Sequence, residues 1–197
     1  KAKVHSLKIG GLEGTGDGST GIDDSYAMDA IKLWHRQKAI DPATGYKRPT
    51  VVNMSWGYSA TFNGGSTAYF VKYQGVDYPS STIQSSYDGE LKHFGLNEFT
   101  SSIGALGTWK HPVRVDSLDT DIEEMVEEGI HVIIASGNHN HKIDVSGGTD
   151  YNNQANIRNS GFKYYHRGSS PHSRNAFMVG CLDEDQVQVQ CTETLVF

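Results

Sequence analysis

The chain has 197 residues with 22 glycines, 37% hydrophobic residues and a formal net charge of −6. That length and composition fit one soluble, loop-rich domain with a sizeable core, and two full domains would be a squeeze. The acidic balance excludes sequence-independent nucleic-acid binding, which needs a basic face, and no apolar run approaches the roughly 20 residues that span a bilayer.

In chain order, "KVHSLKI" (3–9) reads as a short, imperfectly alternating strand, and 10–21 as a glycine-rich loop. "IDDSYAMDAIKLWHRQK" places Ala27, Ala30, Ile31 and Trp34 at the spacing of an amphipathic helix, with Asp23 or Asp24 as its cap. After the turn-rich "DPATGYKRP", residues 50–55 (TVVNMS) read as a continuous apolar strand of the type buried on both faces of a parallel sheet. Residues 59–114 break the rhythm. They are polar and tyrosine-rich, and too long for an ordinary strand-to-helix connection, so they read as an insertion, either a surface subdomain or a cleft-lining lobe. Inside them, Tyr69, Val71 and Tyr73 alternate ahead of Gln74-Gly75, which predicts a small hairpin. Its tyrosines are either exposed caps or a contact surface for a partner or substrate.

"DSLDTDIEEMVEEG" sets Leu118, Ile122, Met125 and Val126 on one helical face, with Asp116 or Ser117 as cap and Gly129 as the stop. Glu127 and Glu128 stand near its C-terminal end, where the helix dipole disfavours them. The strand "HVIIA" follows, and "AFMVGCL" (176–182) reads as a last strand before a turn at "LDEDQ". Cys181 and Cys191 flank that turn. Two cysteines make no disulfide framework, and a cross-strand bond and two free thiols both remain open. Alternating strands and helices imply right-handed crossovers in a parallel sheet, hence an α/β fold with helices flanking the sheet in three layers.

Four strings then stand out in order: "AKVHSLKI", "VVNMSWGY", "GIHVIIASGN" and "SPHSRNAFMVGCLDED". Together they resemble the central part of the catalytic domain of subtilisin-like serine proteases. That family has a Lys-Val-Leu-like strand, then Asn-Met-Ser-Leu-Gly and Gly-Val-x-Val-Val-Ala-Ala-Gly-Asn strand ends. A Tyr-Pro-x-x-x-Pro-x-Val-Ile-x-Val-Gly-Ala segment comes last. The resemblance covers everything but 59–114, and it implies a subtilisin-like domain incomplete at both ends.

It also implies roles. Ser55, Trp56 and Gly57 would pair with an extended polypeptide substrate, and Ala135, Ser136 and Gly137 would form the opposite wall of the side-chain pocket. Residues 18–21 (GSTG) are a weaker candidate for the other flanking strand. Gly57 and Gly137 would let backbone approach the ligand. Trp56, bulkier than the family's leucine, should narrow or flatten the cleft. Asn138 would be the oxyanion-hole amide, its bland alternative being a turn residue. Peptide hydrolysis through an acyl-enzyme needs Asp, His and Ser. None of their motifs is present: "GDGSTG" around Asp17 lies on the wrong side of the first string, and no His-Gly-Thr-His or Gly-Thr-Ser-Met-Ala string occurs. By resemblance the chain starts after the histidine segment and ends before the serine helix, so it should be inactive alone. Exposed sheet edges would then favour self-association. The rival reading is a non-catalytic subtilase fold serving as a peptide-binding or assembly module.

No cofactor is required by this reading. His139 and His141 form His-x-His, a metal pair without a third ligand at a diagnostic spacing, or else exposed loop histidines. Asp144, Asp150 and Asn153 could serve calcium, which is common in the family, or simply belong to a polar loop. Pro171 falls at the family's Tyr-Pro position, where a cis bond is usual. Ser170 replaces the tyrosine there, and a trans bond is the alternative.

Overall fold

The computed structural model describes residues 3–7, 24–63, 69–87, 91–100, 108–137, 141–157, 161–180 and 194–195. Helix α1 (Asp24–Arg36) leads to strand β1 (Val51–Met54), then β2 (Ser59–Asn63), β3 (Tyr69–Tyr73), β4 (Val76–Pro79) and the short helix α2 (Ser80–Ser86). A 3₁₀ turn (Leu91–Phe94), β5 (Asn97–Thr100) and β6 (Thr108–Pro112) precede α3 (Asp116–Glu127) and β7 (His131–Ala135). The chain continues through β8 (Lys142–Ile143), β9 (Gln154–Ile157), β10 (Phe162–Tyr164), β11 (Phe177–Val179) and β12 (Thr194–Leu195). No helix among the described residues is long and apolar enough to cross a membrane.

β1, β7 and β11 form a parallel sheet in that order, with Met54 opposite Ile134 and Val179 opposite Ala135. The α/β class expected from the pattern is therefore present. Both long helices lie on one face of this sheet. Met28 of α1 and Leu118, Ile122 and Met125 of α3 meet Met54, Val132 and Ile134 in a single core. The other face is open: Val51, Phe177 and Val179 are 64%, 59% and 53% exposed. Among the described residues the sheet thus has two layers, not three. β1 is correspondingly not buried on both faces; an apolar strand looks the same in sequence whether its second face is covered or bare. Residues 3–7 form no strand, and Val4 is exposed.

The buried face of α1 is rotated from the expected stripe. Ala27, Met28, Lys32 and His35 are inside, whereas Ala30 is exposed and Trp34 is 43% exposed. Trp34 instead receives Lys38 Nζ at 4.1 Å from its ring centroid and the His5 ring edge-on at 5.1 Å. Polar Lys32 and His35 take core positions because partners satisfy them. Lys32 Nζ pairs with Asp29 (2.9 Å), Asp121 (3.5 Å) and Glu124. α3 stops at Gly129 as expected, with φ +82, a conformation that side chains resist. Its N-cap is Val115 rather than Asp116 or Ser117, and no side chain caps it. Glu128 at the far end is answered by Arg36 Nε at 2.8 Å.

The 59–114 segment carries the expected hairpin, β3 turning into β4 through Gln74 (φ 50) and Gly75 (φ 83). It is not self-contained. β9 and β10 join β3 and β4 in an antiparallel sheet ordered β10-β9-β3-β4, and β2, β6 and β5 form another. A second core gathers Val71, Ile83, Leu91, Phe94 and Leu96 with Ala155 and Tyr165 from the later chain. Tyr73, Tyr78 and Tyr87 pack against it, half-buried, with ring centroids 4.9–5.8 Å from Phe94, so they are not exposed caps.

Candidate functional site

Parallel pairing of β1 with β7 makes the two strands leave the sheet at the same edge, the place where open α/β sheets bind ligands. Ser55 continues β1 directly beside the end of β7. Among the described residues, no backbone hydrogen bond beyond the strand ladder engages Ser55, Trp56 or Gly57. Ser55 and Gly57 are exposed. Pairing resumes at Tyr58, whose N–H donates to Ser170 O (3.0 Å) and whose carbonyl accepts from Val113 N (3.0 Å). Ser55–Gly57 is thus flanked by the β1–β7 ladder on one side and the Tyr58 hydrogen bonds on the other.

Two-residue alternation sorts the expected site residues into opposite directions. Ser55 is exposed and Ala135 and Gly137 half-buried, in phase with the bare-face residues Val51, Asn53 and Ile133. Trp56 and Ser136 fall on the helix side. The Trp56 ring packs against the α1–α3 core and sits edge-on to Tyr58 at 5.8 Å. Much of its bulk therefore fills core instead of narrowing a cleft. Ser136 is 4% exposed, and its hydroxyl has no partner among the described residues. Its N–H donates to Val179 O (3.0 Å), so Ser136 supports the wall through its backbone.

Gly57 packs closely for an unexpected reason. A Cβ there would stand 2.9 Å from Ser169 Oγ and 3.5 Å from Ser170 O. The close approach is to the chain's own 169–170 segment. That segment carries a cis Ser170–Pro171 bond. Asn138, the expected oxyanion donor, lies outside the described residues, as do His139, Asp17, residues 18–21, Cys181 and Cys191.

No local pattern points to the knot that holds this wall. Asp119 Oδ1 accepts from Ser170 Oγ (2.7 Å) and His172 N (2.9 Å), and Oδ2 accepts from Arg114 Nε (2.6 Å). Ser170 Oγ also accepts from Val115 N (2.7 Å), and Arg114 Nη1 donates to Arg167 O (3.2 Å). Burial, with the Arg114 charge added, lowers the His172 pKa. Ser170 is completely buried, so this serine is structural.

Neither candidate cation site suits a metal. Asp150, 2% exposed, is paired with Lys142 and accepts from Gln74 Nε2 and Asn153 Nδ2, each at 2.9 Å. Burial opposes its charge, but these three donors outweigh it and bring its pKa to about 2. Asp144 accepts from Val145 N and Asp150 N, each at 2.8 Å. Asn153 Oδ1 accepts from Gln74 N (2.7 Å). These oxygens are already served by protein donors, so a calcium ion does not fit. The other acidic group, Asp29, Asp121 and Glu124, surrounds the Lys32 ammonium, which supplies the cation itself. Burial lowers the Lys32 pKa, but the Glu124 and Asp29 contacts raise it more, and the net shift is upward. His141 is 2% exposed and therefore no solvent-facing loop histidine. Compared with known proteins, the chain matches no family model, no curated protein and no solved structure.

Proposed function

We propose that this chain is the central part of a subtilisin-like serine endopeptidase domain that grips an extended polypeptide. The observation that carries this reading is the parallel register Met54–Ile134, which sets Ser55 beside Ala135 at one sheet edge. The Ser55–Gly57 stretch, for which no backbone hydrogen bond outside the strand ladder is found among the described residues, adds to it, since an extended substrate binds by lending main-chain partners to such a stretch. In this reading Ser55, Gly57, Ala135 and Gly137 line the peptide groove. Trp56 and Ser136 hold its walls from behind. Asn138 stabilises the oxyanion of the acyl-transfer intermediate, and the catalytic Asp, His and Ser lie on flanking segments. The bare sheet face would receive the third layer that those segments bring.

The uncovered apolar face favours one second reading, a non-catalytic module that binds peptides or assembles through that face. Reading the coding sequence on both sides separates the two. The protease reading requires the histidine and serine motifs there, and an intact gene lacking them leaves the module. Where they occur, Asn138→Ala in the complete protein should lower turnover of a fluorogenic peptide roughly 10²–10³-fold, a magnitude carried over from the subtilisin family. Unchanged turnover would remove Asn138 from the mechanism.

A further inference from the structure

His35 stands where three elements meet. It ends the buried face of α1 at 7% exposure, and its Nδ1 lies 2.6 Å from Thr50 Oγ1 at the entry to β1. Thr50 gives its backbone carbonyl to His131 N (2.9 Å), linking the start of β1 to β7. Lys38 Nζ also donates to Thr50 Oγ1, at 2.6 Å, and to the carbonyls of Arg48 and Pro49, each at 3.2 Å.

These contacts suit a neutral imidazole. An ammonium has only protons to give, so Lys38 uses Thr50 Oγ1 as an acceptor. The threonine proton is then free to point at Nδ1, which accepts it when the ring is neutral and carries its proton on Nε2. The remaining ring proton sits on Nε2, on the side of the Glu128 backbone carbonyl past the end of α3. Protonating Nδ1 would place a second cation on an oxygen that Lys38 already holds.

We propose that His35 is an acid-sensitive latch on the entry of β1, closed as the neutral imidazole and opened by proton uptake. Opening it frees Thr50 and loosens the strand whose far end carries Ser55–Gly57, whatever that end binds.

The groups facing His35 are Lys38 and Lys47 from the 37–50 connection, and Glu128, whose carboxylate is held by Arg36. Burial comes first, then the two lysines, in lowering the His35 pKa below its usual 6.5; Glu128 opposes them without prevailing. Above pH 6.5 folded and unfolded chains are both neutral at this ring. Below it the unfolded chain takes the proton first, so stability falls as pH falls.

Urea unfolding of the full chain from about pH 8 to about pH 5, for wild type and His35→Gln, tests the latch. Glutamine keeps a donor toward Glu128 but has no proton to gain. The rise in the unfolding constant on acidification should be shallower in the variant, by up to about tenfold per pH unit. Other buried histidines titrate in both proteins and cancel in the difference. Ring-nitrogen NMR of the wild type should show an Nε2–H tautomer, still neutral near pH 6. Parallel slopes would overturn the latch, as would a His35 titration at or above the usual histidine value. If the variant does not fold, the wild-type titration decides alone.

Discussion

Gly75 and Gly95 share a backbone conformation and differ in their surroundings. Both have positive φ, 83° and 73°. A Cβ on Gly75 would meet nothing within 4 Å, whereas one on Gly95 would stand 2.8 Å from His166 Nε2. His166 is 1% exposed and tied to Asn153 through Nδ1 (3.2 Å), so it has little room to retreat. Gly75→Ala should cost about 1–2 kcal/mol, the strain of a left-handed alanine. Gly95→Ala should add overpacking of roughly 1–3 kcal/mol. Urea midpoints measure both, and equal losses would mean that His166 yields freely. The Gly75 turn was legible because Gln-Gly interrupts an alternating run. The demand at Gly95 was not, because His166 is distant in sequence, and the same holds for Asp119. Within a run of helical acids it looks like surface charge, yet its partners Ser170 and His172 lie 51 and 53 residues away.

Among elements, α3 was legible because Leu118, Ile122 and Met125 mark its buried face at helical spacing, although Asp119 is buried beside them. α1 was misread by one step around its axis because Lys32 and His35 bury polar groups, which hydrophobic periodicity does not count. A similar buried polar junction joins the 141–157 stretch to the β3–β4 turn through Asp150. Its folded pKa of about 2 lies below the ordinary aspartate value of 3.8. Its contribution is therefore present above pH 3.8, with an order of magnitude of about 2 kcal/mol, and is lost as pH falls toward about 2. Asp150→Asn should lower stability at neutral pH and flatten the acid limb of the unfolding curve below about pH 4, as followed by circular dichroism. An acid limb of unchanged steepness would count against the Lys142–Asp150 pair as a determinant.

For the whole molecule, the parallel pairing of β1 with β7 was legible from strands alternating with helices, although the expected first strand at 3–9 does not form, and the bare face of the sheet was not legible. Nothing local in "TVVNM" or "AFMV" distinguishes a covered side from an open one. The partnership of β9 with β3 was equally hidden, since antiparallel pairing across more than 80 positions leaves no short-range mark. Exposed Val51 on β1 and Phe177 and Val179 on β11 lie on the same bare face, on the two strands that flank β7, and such exposed apolar side chains are of the kind that associate. Light scattering of the isolated chain should therefore show mass rising with concentration. Phe177→Ser should reduce that rise with little change in melting temperature, because its ring is already 59% exposed. A concentration-independent monomer would show that the bare face is tolerated in water.

The Asp119 knot has a mechanical corollary. Val113 and Tyr58 share a hydrogen bond, Tyr58 shares another with Ser170, and Ser170 is fastened to the first turn of α3. The rim around Ser55–Gly57 is therefore tied to that helix through hydrogen bonds at Tyr58 and Ser170, a direct mechanical link between the groove edge and the helix.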